Sequence, residues 1–191
     1  MDRNDSQLVL AVTGATGTYA ASLLAEKSPW PVALICSRMG EAVYAHECGP
    51  IDALSAQAAV TYAEDDCFAP VASGSVPTVG MVVLPCTTGT LGKIASGMGD
   101  TLITRAAHCH LKEKRPLVLC VRETPWTSID FENARRITEA GGIVMPLSPP
   151  YYMFARQDPD RVSMRDLLAS YVDRVLAALG RPAEKTWGDL C

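Results

Sequence analysis

Leu8-Val9-Leu10-Ala11-Val12 runs directly into Thr13-Gly14-Ala15-Thr16-Gly17, and the reading of this junction decides the fold. An apolar run with polar residues on neither face reads as a strand covered on both sides, the habit of a central strand in a parallel sheet. The glycine-bearing turn that follows predicts a helix over residues 18–26. Backbone N–H groups in such a turn, together with the helix N-terminus, can receive a phosphate or another anion. The full GxGxxG fingerprint is absent, because Tyr19-Ala20 stands where a third glycine would follow. An ordinary tight turn and a dinucleotide site, with Arg38 facing a ribose phosphate, are therefore alternatives to a mononucleotide phosphate site.

Outward from this junction, strand and helix signals alternate. Val32–Cys36 is a second apolar run, and Ser37 can cap a helix over 39–46. Between Gly49 and Val79 the pattern weakens to one short strand near Val60 and a small-residue stretch at 69–75, expected as a loop over the carboxyl edge of the sheet. A strand at 81–84 should end at Pro85, with helices at 91–96 and 102–114. Leu117–Val121 is another buried strand, 131–139 a helix stopped by Gly141-Gly142, and 143–145 the last strand. Met164, Leu168, Tyr171, Val175 and Leu179 repeat at steps of three and four, with Ser163 as cap and Gly180-Arg181-Pro182 as stop. The alternation predicts a single doubly wound, mainly parallel α/β domain of Rossmann-like type. It spans residues 1–180, has a C-terminal helix, and leaves a tail at 181–191; ligands belong at the carboxyl ends of the strands.

Composition removes several classes. At 191 residues and 48% apolar, the chain can build one core without disulfides or a structural metal. Seven cysteines, an odd number with no CxxC spacing, argue against a disulfide framework and a zinc knuckle. A net charge of −4 with scattered basic residues leaves no nucleic-acid footprint. No apolar run approaches the roughly 18 residues of a membrane span, and the opening MDRNDSQ has no basic leader, so a soluble, cytoplasmic protein is expected.

Two further loops carry chemistry. Pro85-Cys86-Thr87-Thr88-Gly89-Thr90 offers a cluster of hydroxyl donors beside a strand end, either for a ligand or merely as a helix cap. Cys86 is a candidate nucleophile without a histidine close in sequence. His108 and His110 have the wrong spacing for a helical metal pair, so no metal is expected. In the third loop Lys112 ends a helix while Arg122 and Glu123 leave a central strand. Two cations can hold a phosphate while the carboxylate relays a proton; a structural ion pair is the plainer account.

Taken together, Thr13-Gly14-Ala15-Thr16-Gly17, Ser37-Arg38-Met39-Gly40, Ala72-Ser73-Gly74-Ser75, Pro85-Cys86-Thr87-Thr88-Gly89-Thr90-Leu91, the block from Arg105-Ala106-Ala107 to Leu111-Lys112-Glu113-Lys114-Arg115-Pro116-Leu117, and Arg122-Glu123-Thr124-Pro125 resemble the bacterial UbiX/Pad1-type flavin prenyltransferases. The resemblance implies alkylation of reduced FMN by dimethylallyl phosphate, giving prenylated FMN for a UbiD-type decarboxylase and releasing phosphate without a metal. By resemblance, Gly14, Thr16, Ser37, Thr88, Arg105 and Arg122 contact FMN. Lys112, Arg122, Tyr152 and Arg174 surround the substrate phosphate, and Glu47, Glu123 and Lys112 are catalytic. A homo-oligomer, trimers assembled into a dodecamer, is also implied. Thr16 stands in place of the family's serine and His108 in place of its aspartate, and 22 positions separate Tyr152 from Arg174, several more than the family pattern. Prenyl chain length and the choice between mono- and diphosphate stay open. So do two other readings: a noncatalytic FMN-binding accessory subunit of a decarboxylase, and a flavin-dependent cysteine decarboxylase.

Overall fold

The apolar runs become the strands of one sheet because each has a covered face on both sides. In the computed structural model, which describes residues 7–182 and 186–189, β1 (Gln7–Val12), β2 (Val32–Cys36), β3 (Val60–Ala63), β4 (Thr78–Cys86), β5 (Leu117–Val121) and β6 (Ile143–Val144) are all parallel, in the order β3-β2-β1-β4-β5-β6. Leu10 sits opposite Leu34 on one side and Val82 on the other. Leu8, Leu10 and Val12 enter one buried layer and Val9 and Ala11 the other, so both faces of β1 are core. The first layer is closed by α1 (Tyr19–Lys27), α2 (Arg38–Glu47), α3 (Asp52–Ser55) and α7 (Met164–Ala178), the second by α4 (Thr88–Ala95), α5 (Leu102–Lys112) and α6 (Ser128–Glu139). The chain winds outward from β1 in one direction and then from β4 in the other, which leaves a switch point between β1 and β4.

Helix starts follow their caps. Ser37 Oγ accepts from the Gly40 N–H at 2.9 Å, and Thr127 with Asp130, like Ser163 with Asp166, forms a reciprocal capping box. These caps begin α2 and α6 earlier than apolar spacing alone indicates. Gly141, at φ 93°, supplies the left-handed turn that ends α6, and the Gly142 N–H returns to the Ile137 carbonyl at 2.9 Å.

Two expectations are corrected. Residues 64–77 are a loop over the carboxyl edge only at their start, where Glu64, Asp65 and Cys67 line a hollow. All strands being parallel, this connection must return to the amino edge, and it crosses the sheet face with Val71 and Ala72 buried in the second layer. Pro85 does not end β4, which continues to Cys86 with a register shift between Val83 and Cys86. Of the expected tail at 181–191, residues 183–185, 190 and 191 lie outside the described residues, as do residues 1–6.

The start of α2 lies against the end of β1 because Gly40 has no side chain: a Cβ there would stand 2.4 Å from the Val12 carbonyl oxygen. Backbone on both sides leaves nothing to give way. Gly40→Ala is expected to destabilise the fold by about 1–3 kcal/mol, as overpacking does, read as a lowered midpoint in denaturant unfolding with an unchanged slope.

Candidate active site

Three hollows follow the carboxyl edge. One, of about 240 Å³, is lined by Thr13, Ser37, Glu64, Thr87, Gly89, Thr90 and residues of α4 and α5. It shares Glu64 and Thr101 with a hollow of about 350 Å³ that holds Arg105. It shares Thr87 with a third, of about 230 Å³, lined by Gly14, Ala15, Thr16, Arg122 and Glu123. The structure thus brings Gly14, Thr16, Arg122 and Glu123 to one place, with Ser37 next to it and Arg105 beyond. Thr88 opens α4 directly after the capping Thr87.

Arg122 reaches the cleft because its N–H is held by the Cys86 carbonyl at 3.0 Å, continuing the β4–β5 pairing past the strand. Its guanidinium has no hydrogen-bond or carboxylate partner among the described residues. Glu123 accepts from the Thr124 N–H at 3.0 Å, and the Trp126 indole N–H donates to the Glu123 main-chain oxygen at 3.0 Å. A free, exposed cation beside a carboxylate at a strand end suits recognition of a phosphate and transfer of a proton.

Glu47 does something the sequence did not reveal. Its carboxylate accepts from the N–H groups of Gly17 (2.9 Å) and Thr18 (2.8 Å) and from the Thr18 hydroxyl (2.7 Å). The N-terminus of α1, expected as the phosphate site, therefore already holds an internal anion. Partial burial works against the charge, but the Thr18 and Gly17 hydrogen bonds prevail and hold this carboxyl below the usual carboxylate range. Glu47 lines none of the three hollows.

Lys112, Arg122 and Glu123 do not form one cluster within the chain. Arg122 leaves the carboxyl end of β5, whereas Lys112 ends α5 ahead of its amino end, a strand length of about 17 Å away. There Lys112 pairs with Glu113 at 2.5 Å, close to Gly74. A parallel strand cannot bring residues before and after it to the same edge. Arg174 is likewise low on α7, next to Asp173, which pairs at 2.8 Å with Lys27 at the far end of α1. Tyr152 lies in a 3-10 turn past β6, at the surface and outside the hollow of Arg122.

Other candidates fall away. Cys86 is fully buried, and burial together with Cys120 pushes its thiol pKa up, so it is no nucleophile. His110 is buried, 2.7 Å from the Ala106 carbonyl oxygen and 2.8 Å from Thr78 Oγ1, and burial holds its pKa down. Arg38 lines none of the hollows; its N–H donates at 3.0 Å to Glu64, whose carboxylate lines two of them. That arrangement does not suit a ribose 2′-phosphate. Sequence reasoning passed over Glu64 because β3 is too short and half-exposed to announce its carboxyl end, and Thr13 because its partners are 72 and 74 positions away.

A doubly wound sheet with a hydroxyl- and glycine-lined cleft at its switch point defines a nucleotide-binding α/β protein of flavoprotein type. Comparison with known proteins narrows this class. The family model described as Flavoprotein matches residues 1–176. A flavin prenyltransferase UbiX from Deinococcus radiodurans is 40% identical over 187 residues, covering 95% of this chain and 93% of its own. The structure of AnUbiX (PadA1) in complex with FMN and dimethylallyl pyrophosphate superposes with a TM-score of 0.87 at 33% identity, over 95% of this chain and 97% of that one. A dodecameric FMN-dependent Ubix-like decarboxylase from Escherichia coli O157:H7 gives 0.84 at 30% identity, over 95% and 99%. The chain belongs to the UbiX/Pad1-type flavin prenyltransferase family.

Glu47→Gln is expected to keep the side chain's size but weaken the α1 cap, lowering stability at pH 7 by about 1 kcal/mol. Because the folded-state pKa lies below the unfolded value, the wild-type advantage is complete above the unfolded pKa, 4.5, and is lost as pH falls through the folded value. Thermal melts of the two proteins should therefore differ at pH 7 and converge in acid.

Proposed function

We propose that this chain is a flavin prenyltransferase that joins a dimethylallyl group from dimethylallyl phosphate to reduced FMN, releasing phosphate and supplying prenylated FMN to a UbiD-type decarboxylase. The observation that carries the reading is the Arg122 guanidinium, without a partner among the described residues, placed with Glu123, Gly14 and Thr16 in one hollow at the switch point. The residues fit a flavin mononucleotide: the hydroxyl-bearing residues Thr13, Ser37, Thr87 and Thr90 line the adjoining hollow. A Cβ at Gly14 would stand 2.7 Å from Met39 Cβ, so the turn lies close to α2 only without a side chain. Gly14, Thr16, Ser37, Thr88, Arg105 and Arg122 are the proposed FMN contacts. Since Glu47 closes the α1 N-terminus, its role becomes holding the first turn, and the phosphate of FMN goes to the start of α4.

When bound in the hollow, reduced FMN would supply the electron-rich acceptor for the allylic carbon. The chain's own part begins with the leaving group. The carbon–oxygen bond of the allylic phosphate breaks, its electron pair departs with the phosphate, and Arg122 stabilises that charge without a metal. Glu123 accepts the proton that the acceptor loses or hands it to the phosphate.

Lys112, Tyr152 and Arg174 complete the phosphate site from a second copy of the chain, since one copy holds Lys112 and Arg122 at opposite ends of β5. This makes the active form a homo-oligomer; a dodecamer, the state described for the Escherichia coli relative, is the proposed assembly. Residues 1–180 form the FMN-binding unit, with 181–191 as its tail. No helix among the described residues is long and apolar enough to cross a membrane. A cytoplasmic location agrees with six free cysteines among the described residues and with a reduced flavin substrate.

Anaerobic incubation with reduced FMN and dimethylallyl phosphate, without Mg²⁺, should yield a flavin heavier by one five-carbon unit and free phosphate. Mass spectrometry across five- and ten-carbon mono- and diphosphates sets the donor preference. No alkylated flavin from any donor, with FMN still bound, would return the protein to the accessory-subunit reading. Glu123→Gln should slow single-turnover alkylation by about 10²-fold or more while leaving FMN affinity near wild type. Lys112→Met and Arg122→Met should each abolish transfer. Co-assembled Lys112→Met and Arg122→Met chains should regain part of the activity, because some sites then combine the two intact residues; no recovery would place both residues in one copy.

A further inference from the structure

The pairing of β1 with β4 stops at Ala11 opposite Val83, and β4 then shifts register around Pro85, which has no N–H to offer. At this point the two halves of the sheet would part. One residue, Thr13, spans the gap through both its main chain and its side chain. The Thr13 N–H and the Thr13 hydroxyl both donate to the Pro85 carbonyl, at 3.2 and 2.9 Å, and the same hydroxyl oxygen accepts from the Thr87 N–H at 3.0 Å. Thr13 is 3% exposed, so the hydroxyl uses its proton and a lone pair where water does not compete. Thr87 is the cap of α4: its own hydroxyl accepts from the Thr90 N–H at 3.0 Å. The orientation of the first turn of α4 is therefore relayed from β1 through one hydroxyl group.

We infer that Thr13 is a positioning residue for the flavin nucleotide: its hydroxyl clasps the Pro85 and Thr87 loops and so aims the first turn of α4 at the nucleotide's phosphate. The inference rests on the flavin reading above and extends it to a residue that need not touch the reacting atoms. Two features single out this clasp. The other helix start at the switch point, that of α1, is closed by the Glu47 carboxylate. Thr13 also lines the same hollow as Thr87, Gly89 and Thr90, so a change in the clasp moves the wall of the binding space directly. Valine matches threonine in shape but leaves the Thr87 N–H without its partner; serine keeps both hydrogen bonds.

The test compares FMN with riboflavin, which lacks the phosphate, by fluorescence titration of the wild type, Thr13→Val and Thr13→Ser. The wild type should favour FMN. Thr13→Val should lose FMN affinity by about tenfold or more, the scale of one orphaned buried donor, while riboflavin affinity stays within about threefold. Thr13→Ser should restore FMN binding to within about threefold of wild type. Should Thr13→Val fail to fold, Thr13→Cys, similar in size with a weaker donor and acceptor, should show an intermediate loss confined to FMN. An unchanged FMN-to-riboflavin ratio in Thr13→Val, or Thr13→Cys, or an equal loss of both ligands, overturns the clasp and leaves the flavin reading standing. A wild-type protein that binds neither ligand removes both.

Discussion

Parallel pairing of all six strands is the constraint from which the rest follows. It sends every strand's carboxyl end to one edge and every return crossing over a face, so loops after β1, β4 and β5 meet while residues that precede a strand are carried away from them. The same rule that gathers Gly14, Thr16, Thr87, Arg122 and Glu123 also exiles Lys112 to the opposite edge. It takes residues 64–77 from the carboxyl edge, where Glu64 lines a hollow, back across the sheet face as a segment with its own buried residues. The two-sided burial of β1 and β4 makes the arrangement rigid, because each inward side chain is core for one layer or the other.

Charge is distributed along the edge with some economy. The positive end of α1 is satisfied by Glu47 from within the chain, which removes the most obvious anion site and stiffens the first turn. Arg122, by contrast, reaches the edge with its backbone tied and its guanidinium without a hydrogen-bond partner among the described residues. An internal carboxylate at α1 and a guanidinium without a partner among the described residues both support the proposed placement of phosphate in the middle of the cleft. Thr13 then matters because it is the point where that middle would otherwise open.

The open side of this cleft gives the missing cations their meaning. Arg122 and Glu123 are exposed and Lys112 and Arg174 lie elsewhere, which is why the proposed phosphate site draws on a second copy. On the proposed reading, a phosphate site divided between copies would couple assembly to chemistry, because a carbocation-like fragment needs a dry pocket.

The apolar runs, the glycine turns and the caps were legible along the chain because they act over a few residues. β2 and β5 have the expected bounds, Ser37 and Ser163 cap where they should, and the motif series around Lys112 and Arg122 sufficed to identify the family by resemblance. Strand and helix order then left little freedom in the fold, since short connections and parallel pairing admit few topologies. Tertiary structure alone decided what each polar residue does. Glu47 reached back to Gly17 and Thr18, Thr13 reached Pro85 and Thr87, and Lys112 was parted from Arg122 by the length of a strand. Those partners lie far apart in sequence or at opposite strand ends, and a hydrogen bond depends on position in space within a few tenths of an ångström, which no local pattern of residues encodes.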